Sequence, residues 1–145
     1  KITPLTPNTL EQEFEPESKI SLWKEYKMSD LLYHLIVYSD NIASNALIEY
    51  IPKNIQNQIY NDLLIPNPDS VNYTISVKNY ASFFRILYNA SYLSRDSSEL
   101  ALNLLSIKSF TWWIRANIPE SIKIAHKFWE RKLMENIFGK SGSQM

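Results

Sequence analysis

Few residues in this chain are equipped for chemistry, and the most suggestive group is Ser39-Asp40-Asn41 within "LLYHLIVYSDNIASNALIEY", residues 31–50. The triplet offers a hydroxyl that can both donate and accept, a carboxylate and an amide, set between two apolar segments that each read as buried helix. The same three residue types bond readily to their own backbone, so a plain helix-to-helix corner could also carry them. The chain has no cysteine, which removes disulfides, thiol nucleophiles and thiolate metal sites. Its two histidines, His34 and His126, lie far apart in sequence, so no metal site is expected and no cofactor is implied.

Composition sets the frame around that triplet. With 145 residues, 45% of them apolar, the chain can bury the core of one domain. Fifteen basic and fifteen acidic residues are scattered along it and cancel. No basic face for nucleic acid or an anionic membrane surface follows from that distribution. No run of about 18 apolar residues is present to span a bilayer. Neither is there a basic, then apolar, leader at the start. The sequons at Asn72 and Asn89 are read as chance in a chain this rich in Asn.

The elements that must position the triplet are mostly helical. Pro4, Pro7 and Pro16 make residues 1–18 an extended edge. Residues 19–28 read as strand-like, with Ile20, Leu22 and Tyr26 at even spacing. Ser29 is the expected N-cap of a helix carrying Leu31, Leu32, Leu35 and Ile36 toward Ser39. After the triplet, Ala43, Ala46, Leu47 and Tyr50 restart a helix that Pro52 ends, and residues 53–65 form a third. Residues 66–74 are a loop. Ser76 caps a helix from Val77 to about Ala90, and Ser94 to Ser98 opens another through Leu100, Leu104 and Leu105. Residues 110–119 read as a short helix stopped by Pro119. In residues 121–129, Ile122, Ile124, His126 and Phe128 alternate with Lys123, Ala125 and Lys127, the pattern of a strand. Residues 133–145 are expected to be a flexible tail. No repeat or linker divides the chain, so residues 1–145 read as one domain. Its expected core includes Leu31, Leu35, Ile36, Leu47, Tyr80, Phe83, Phe84, Leu87, Leu104 and Trp113. Trp23, Trp112, Trp113 and Trp129 lie on several elements and read as packing residues rather than a carbohydrate platform. His34 and His126 read as packing residues too.

The tyrosine-ended helix, the Ser-Asp-Asn triplet, the helix after it and the downstream "NIPESIKIAHKF" together resemble the penicillin-binding protein and serine β-lactamase family, over roughly residues 1–132. The resemblance implies a mainly α chain: the helical subdomain of the β-lactamase/transpeptidase-like α/β fold with remnant strands. It implies that Ser39 shuttles a proton and that Lys127 is the strand lysine, the cation beside that hydroxyl and the attractor of a substrate carboxylate. Asn41 would hold the substrate's acyl-amide. Asp40 would be a structural carboxylate turned from the cleft. The partner would be a β-lactam or a peptidoglycan stem peptide, and the location extracytoplasmic.

The chain also departs from the family pattern. The family's nucleophile lies in S-x-x-K at a helix start. The one S-x-x-K here, Ser21-Leu22-Trp23-Lys24, falls in the strand-like segment only 18 residues before Ser39. Along a strand, residues three apart face opposite sides. The nucleophile is therefore expected from a complementing segment outside this incomplete domain. Trp129 stands where the family has glycine and would obstruct the strand backbone. In "IPNPDSVNYTI", Asp69 is the one acid, so class A deacylation has no counterpart. The expectation is a β-lactamase-like serine hydrolase domain that is inactive as this isolated chain. The alternatives are a non-catalytic binding or scaffold module derived from the same fold, and an unrelated helical interaction domain.

Overall fold

The computed structural model describes residues 1–7, 16–65, 76–107, 118–119 and 121–127. Within them the chain is mainly α: α1 is Met28–Val37, α2 Asn41–Tyr50, α3 Lys53–Asp62, α4 Val77–Tyr88 and α5 Arg95–Leu105. Local sequence explains most of the boundaries. The Ser76 hydroxyl accepts from the amide of Asn79 and Ser94 from that of Ser97, each satisfying a donor that the helix start leaves without an intrahelical partner. The α1 start lies two residues before the expected Ser29 cap, at Lys27, whose amide donates to the Asp30 carboxylate. Pro52 holds Ile51 out of helical backbone, ending α2, and α3 begins directly after it.

Glycine is nearly absent from this chain, with two residues only, at positions 139 and 142. Three of the helices are therefore followed by side-chain-bearing residues in left-handed backbone: Ser39 after α1 (φ 56°), Leu64 after α3 (φ 53°) and Ala90 after α4 (φ 47°). Each such residue costs about 1–2 kcal/mol relative to ordinary helical backbone.

Helix α1 packs against α2 and α5, and α5 also packs against α4. The core gathers Ile2 and Ile20 from the N-terminal segments, Leu31 from α1, and Ala43, Ala46 and Leu47 from one face of α2. Two alanines on that face let α1 come close. The C-terminus of α2 is satisfied by Gln56, whose Nε2 donates to the carbonyls of Ile48 and Ile51 at 2.7 Å each.

Three expectations change. Residues 19–27 form no strand: Trp23 turns in left-handed backbone (φ 64°), and the extended pattern reduces to a single antiparallel bridge between Ile2 and Tyr26. Residues 121–127 carry no assigned strand; among the described residues the Ile122 amide donates to Pro119 O, the His126 amide to Leu105 O, and Lys127 O accepts from the Tyr80 hydroxyl. Of the expected core, Leu31 and Leu47 are buried, while Leu35, Ile36, Phe83, Phe84, Leu87 and Leu104 are half-buried. Tyr80 is 37% exposed. The apolar stripes on α4 and α5 have the expected phase, but among the described residues those helices pack mainly on each other and on α1. Trp113, Trp112, Phe128 and Trp129 lie outside the described residues, as do most of the helix expected at 110–119, the 66–74 loop with Asp69, and the tail. Among the described residues no helix is long and apolar enough to cross a membrane.

Candidate active site

The triplet is a hinge between two helices, and each of its residues has a distinct task there. Left-handed Ser39 reverses the chain at the end of α1, and the amides of Tyr38 and Asp40 both return to the carbonyl of His34. Asp40, 1% exposed, then caps α2: its Oδ1 accepts from the amides of Ile42 and Ala43 at 2.8 and 3.2 Å. Its Oδ2 accepts from the amide of Ile20 at 2.7 Å, tying the N-terminal segment to the same corner. The imidazole of His34 lies on that side as well, with Nδ1 3.8 Å from Asp40 Oδ2. Asn41 opens α2 and is half-buried beside Ser39 in the chain.

Lys127 reaches this hinge from 88 residues away. Its ammonium donates to Ser39 Oγ at 2.5 Å, to Leu35 O at 2.8 Å and to Ile36 O at 3.0 Å, using all three of its donors. The two carbonyls belong to the last turn of α1, where carbonyls lose their intrahelical partners and where a cation also meets the negative end of the helix dipole. Ser39 and Lys127 are thus brought into direct contact, and Asn41 belongs to the same turn.

Burial pushes the Lys127 ammonium down to about 8. It is still charged at neutral pH, yet it gives up a proton more readily than an ordinary lysine. A hydroxyl that accepts from such an ammonium can donate its own proton in another direction, the arrangement a proton relay requires.

The lowered value has a consequence for stability that can be measured. Below pH 8 both folded and unfolded chains carry the charge, and the cost of burying it is fully present. Between pH 8 and the ordinary lysine value of about 10.4 the unfolded chain binds more protons, so stability rises with pH. Among the described residues, three tyrosines act from the top of this window upward: hydrogen bonding to Tyr33 raises Tyr38, burial raises Tyr80, and hydrogen bonding to Asp62 raises Tyr92. These three make the folded chain lose stability above about pH 10. Urea unfolding at pH 7.5 and 9.5 is expected to show a gain on the order of 1 kcal/mol at the higher pH, discounted for the solvent that reaches a half-buried group. The gain should vanish in Lys127→Met.

The remaining candidates do not join this centre. Ser21 is exposed on an irregular segment, not at a helix start, and its amide donates to the Tyr26 hydroxyl. The Lys24 ammonium lies over the Tyr26 ring, 5.7 Å from its centroid. The segment is not the strand that the even spacing suggested, and the S-x-x-K geometry of a helix start is absent from it. His126 contributes its backbone amide, which holds the 121–127 segment to the end of α5. Among the described residues no three His, Asp or Glu side chains gather as a metal site.

Two features were not anticipated from sequence. One is the pair of α1 carbonyls that share Lys127 with Ser39. The other is Tyr80, assigned to the core, whose hydroxyl donates to Lys127 O at 2.6 Å. A tyrosine on a stripe shared with Phe83 and Phe84 is the only local hint that a polar tip is wanted there.

No curated protein and no solved structure matches the chain. A family model does, that of the Beta-lactamase enzyme family, over residues 5–132. The match takes in both the Ser-Asp-Asn hinge and the lysine that meets it, and covers most of the 145 residues: the chain belongs to the β-lactamase enzyme family.

Proposed function

We propose that this chain supplies the helical side of a serine acyl-transfer site that acts on β-lactams or on peptidoglycan stem peptides. The observation that carries the reading is the 2.5 Å contact between Lys127 Nζ and Ser39 Oγ. In this reading Ser39 passes a proton to the leaving nitrogen as the acyl-serine forms, and Lys127 replenishes it. The ammonium also draws the carboxylate common to both substrate classes. Asn41 holds the substrate amide through its donor and acceptor, and Asp40 fixes the hinge without touching substrate. Catalysis takes place outside the cytoplasm, where both substrates are met, and needs no cofactor.

The attacking serine comes from a complementing segment, because Ser21 has the right spacing to Lys24 but the wrong setting. Activation requires a base within hydrogen-bond reach of the hydroxyl, and Lys24 is placed on the Tyr26 ring instead. The 145-residue chain alone is therefore expected to form no covalent adduct with a β-lactam. Intact-protein mass spectrometry after incubation with a reactive penicillin checks this. A stoichiometric mass increase mapped to Ser21 would give that serine the nucleophile's role, and one mapped to Ser39 would replace the relay assignment.

A second reading, a non-catalytic scaffold derived from the same fold, is favoured by one observation: all three donors of Lys127 are already engaged, two of them on α1 carbonyls. In that case the lysine serves as a C-terminal staple for α1. Supplying the missing segment in trans and finding no acylation of any serine would select this reading.

A further inference from the structure

Among the described residues, Lys127 ends a segment with no assigned strand, and contacts to two helices fix where its side chain starts. Two ties hold the segment to α5: the His126 amide on Leu105 O at 3.0 Å and the Lys123 ammonium on Asn103 Oδ1 at 2.9 Å. Lys123 is exposed, and a single exposed lysine contact restrains little. At Lys127 itself the backbone is held from a different helix: the Tyr80 hydroxyl, one turn into α4, donates to Lys127 O at 2.6 Å. The phenol ring is braced in turn by Phe84, one helical turn on, edge to face at a centroid distance of 5.4 Å. The carbonyl of Lys127 is thus pinned to α4 while its ammonium is pinned to the end of α1.

We propose that Tyr80 is a positioning residue for Lys127, its phenol fixing the lysine backbone at the distance from which the ammonium reaches Ser39. The inference rests on the relay reading for its catalytic meaning, although the structural tie can be tested separately. Released from Tyr80, the backbone at Lys127 loses its tie to α4, and the ammonium gains freedom to retreat from the half-buried hinge into water.

The test compares Tyr80→Phe with Tyr92→Phe in the 145-residue chain labelled with 13C-lysine, with the Lys127 signal assigned by its loss in Lys127→Ala. Tyr92→Phe removes a different long-range tyrosine contact, from Tyr92 to Asp62 Oδ2 at 2.9 Å, and serves as a control for a general loss of stability. Tyr80→Phe should move the Lys127 titration from about 8 toward the ordinary lysine value, while Tyr92→Phe leaves it in place. An unchanged titration in Tyr80→Phe, or an equal shift in both variants, overturns the proposal. Acylation by a penicillin in the complemented protein separates it from the functional reading. A titration shift in Tyr80→Phe together with full acylation in Lys127→Ala would reject the relay and leave the tie intact. Loss of acylation in Lys127→Ala with no titration shift in Tyr80→Phe would do the reverse.

Discussion

Replacing Asp40 by alanine is expected to destabilise the chain by about 3–5 kcal/mol, the largest loss of stability from any residue of the hinge. Three backbone amides, of Ile20, Ile42 and Ala43, donate to this one carboxylate. A lost N-cap alone costs about 1 kcal/mol. The Ile20 amide adds more, because Ile20 and Asp40 are both buried and water does not readily replace the lost acceptor. Asp40→Asn keeps one carbonyl oxygen and should recover roughly half of the loss. Urea denaturation of the two variants checks the ranking. An alanine variant within about 0.5 kcal/mol of the parent would mean that the carboxylate is not the keystone of the α1–α2 corner.

Acylation in the complemented protein should fall by about 10²–10⁴ in either Ser39→Ala or Lys127→Ala, the range for loss of a positioned proton-transfer group. In the proposed relay the two residues act as one unit, so the double variant should be little worse than the poorer single one. Stopped-flow measurement of penicillin acylation in the cycle of four proteins provides the test. Multiplying effects would separate the two residues into independent roles, with Ser39 in proton transfer and Lys127 in binding the carboxylate. Ser39→Gly sharpens the reading, since glycine relieves the left-handed backbone at φ 56° while removing the hydroxyl. That variant should fold at least as well as the parent and still acylate slowly.

The helices were legible because their signals are local. Ser76 and Ser94 cap where a serine before an apolar stripe should, Pro52 ends α2, and Leu31 and Leu47 lie on the faces that their spacing assigned. The family resemblance was legible for a related reason: the Ser-Asp-Asn triplet and the "HKF" segment are short, contiguous patterns. Strand readings are harder, because a strand needs a neighbour to bond with as well as alternating faces. Residues 19–28 have the even spacing, yet among the described residues they keep only one antiparallel bridge, Ile2 to Tyr26, and the described part of the 121–129 pattern carries no assigned strand.

By itself, then, the sequence determined a cysteine-free, mainly helical chain with a Ser-Asp-Asn corner between two helices, because composition, capping and periodicity act within a few residues. That Lys127 meets the corner was implied by the family resemblance and not by any local pattern; tertiary structure decided how it does so, that α1 carbonyls share its ammonium, that Asp40 also grips Ile20, and that Tyr80 holds the lysine's backbone. Each of these contacts joins residues between 20 and 92 positions apart. No local propensity encodes such a pairing; it follows from how the helices pack and from the buried donors and acceptors that packing leaves to be matched.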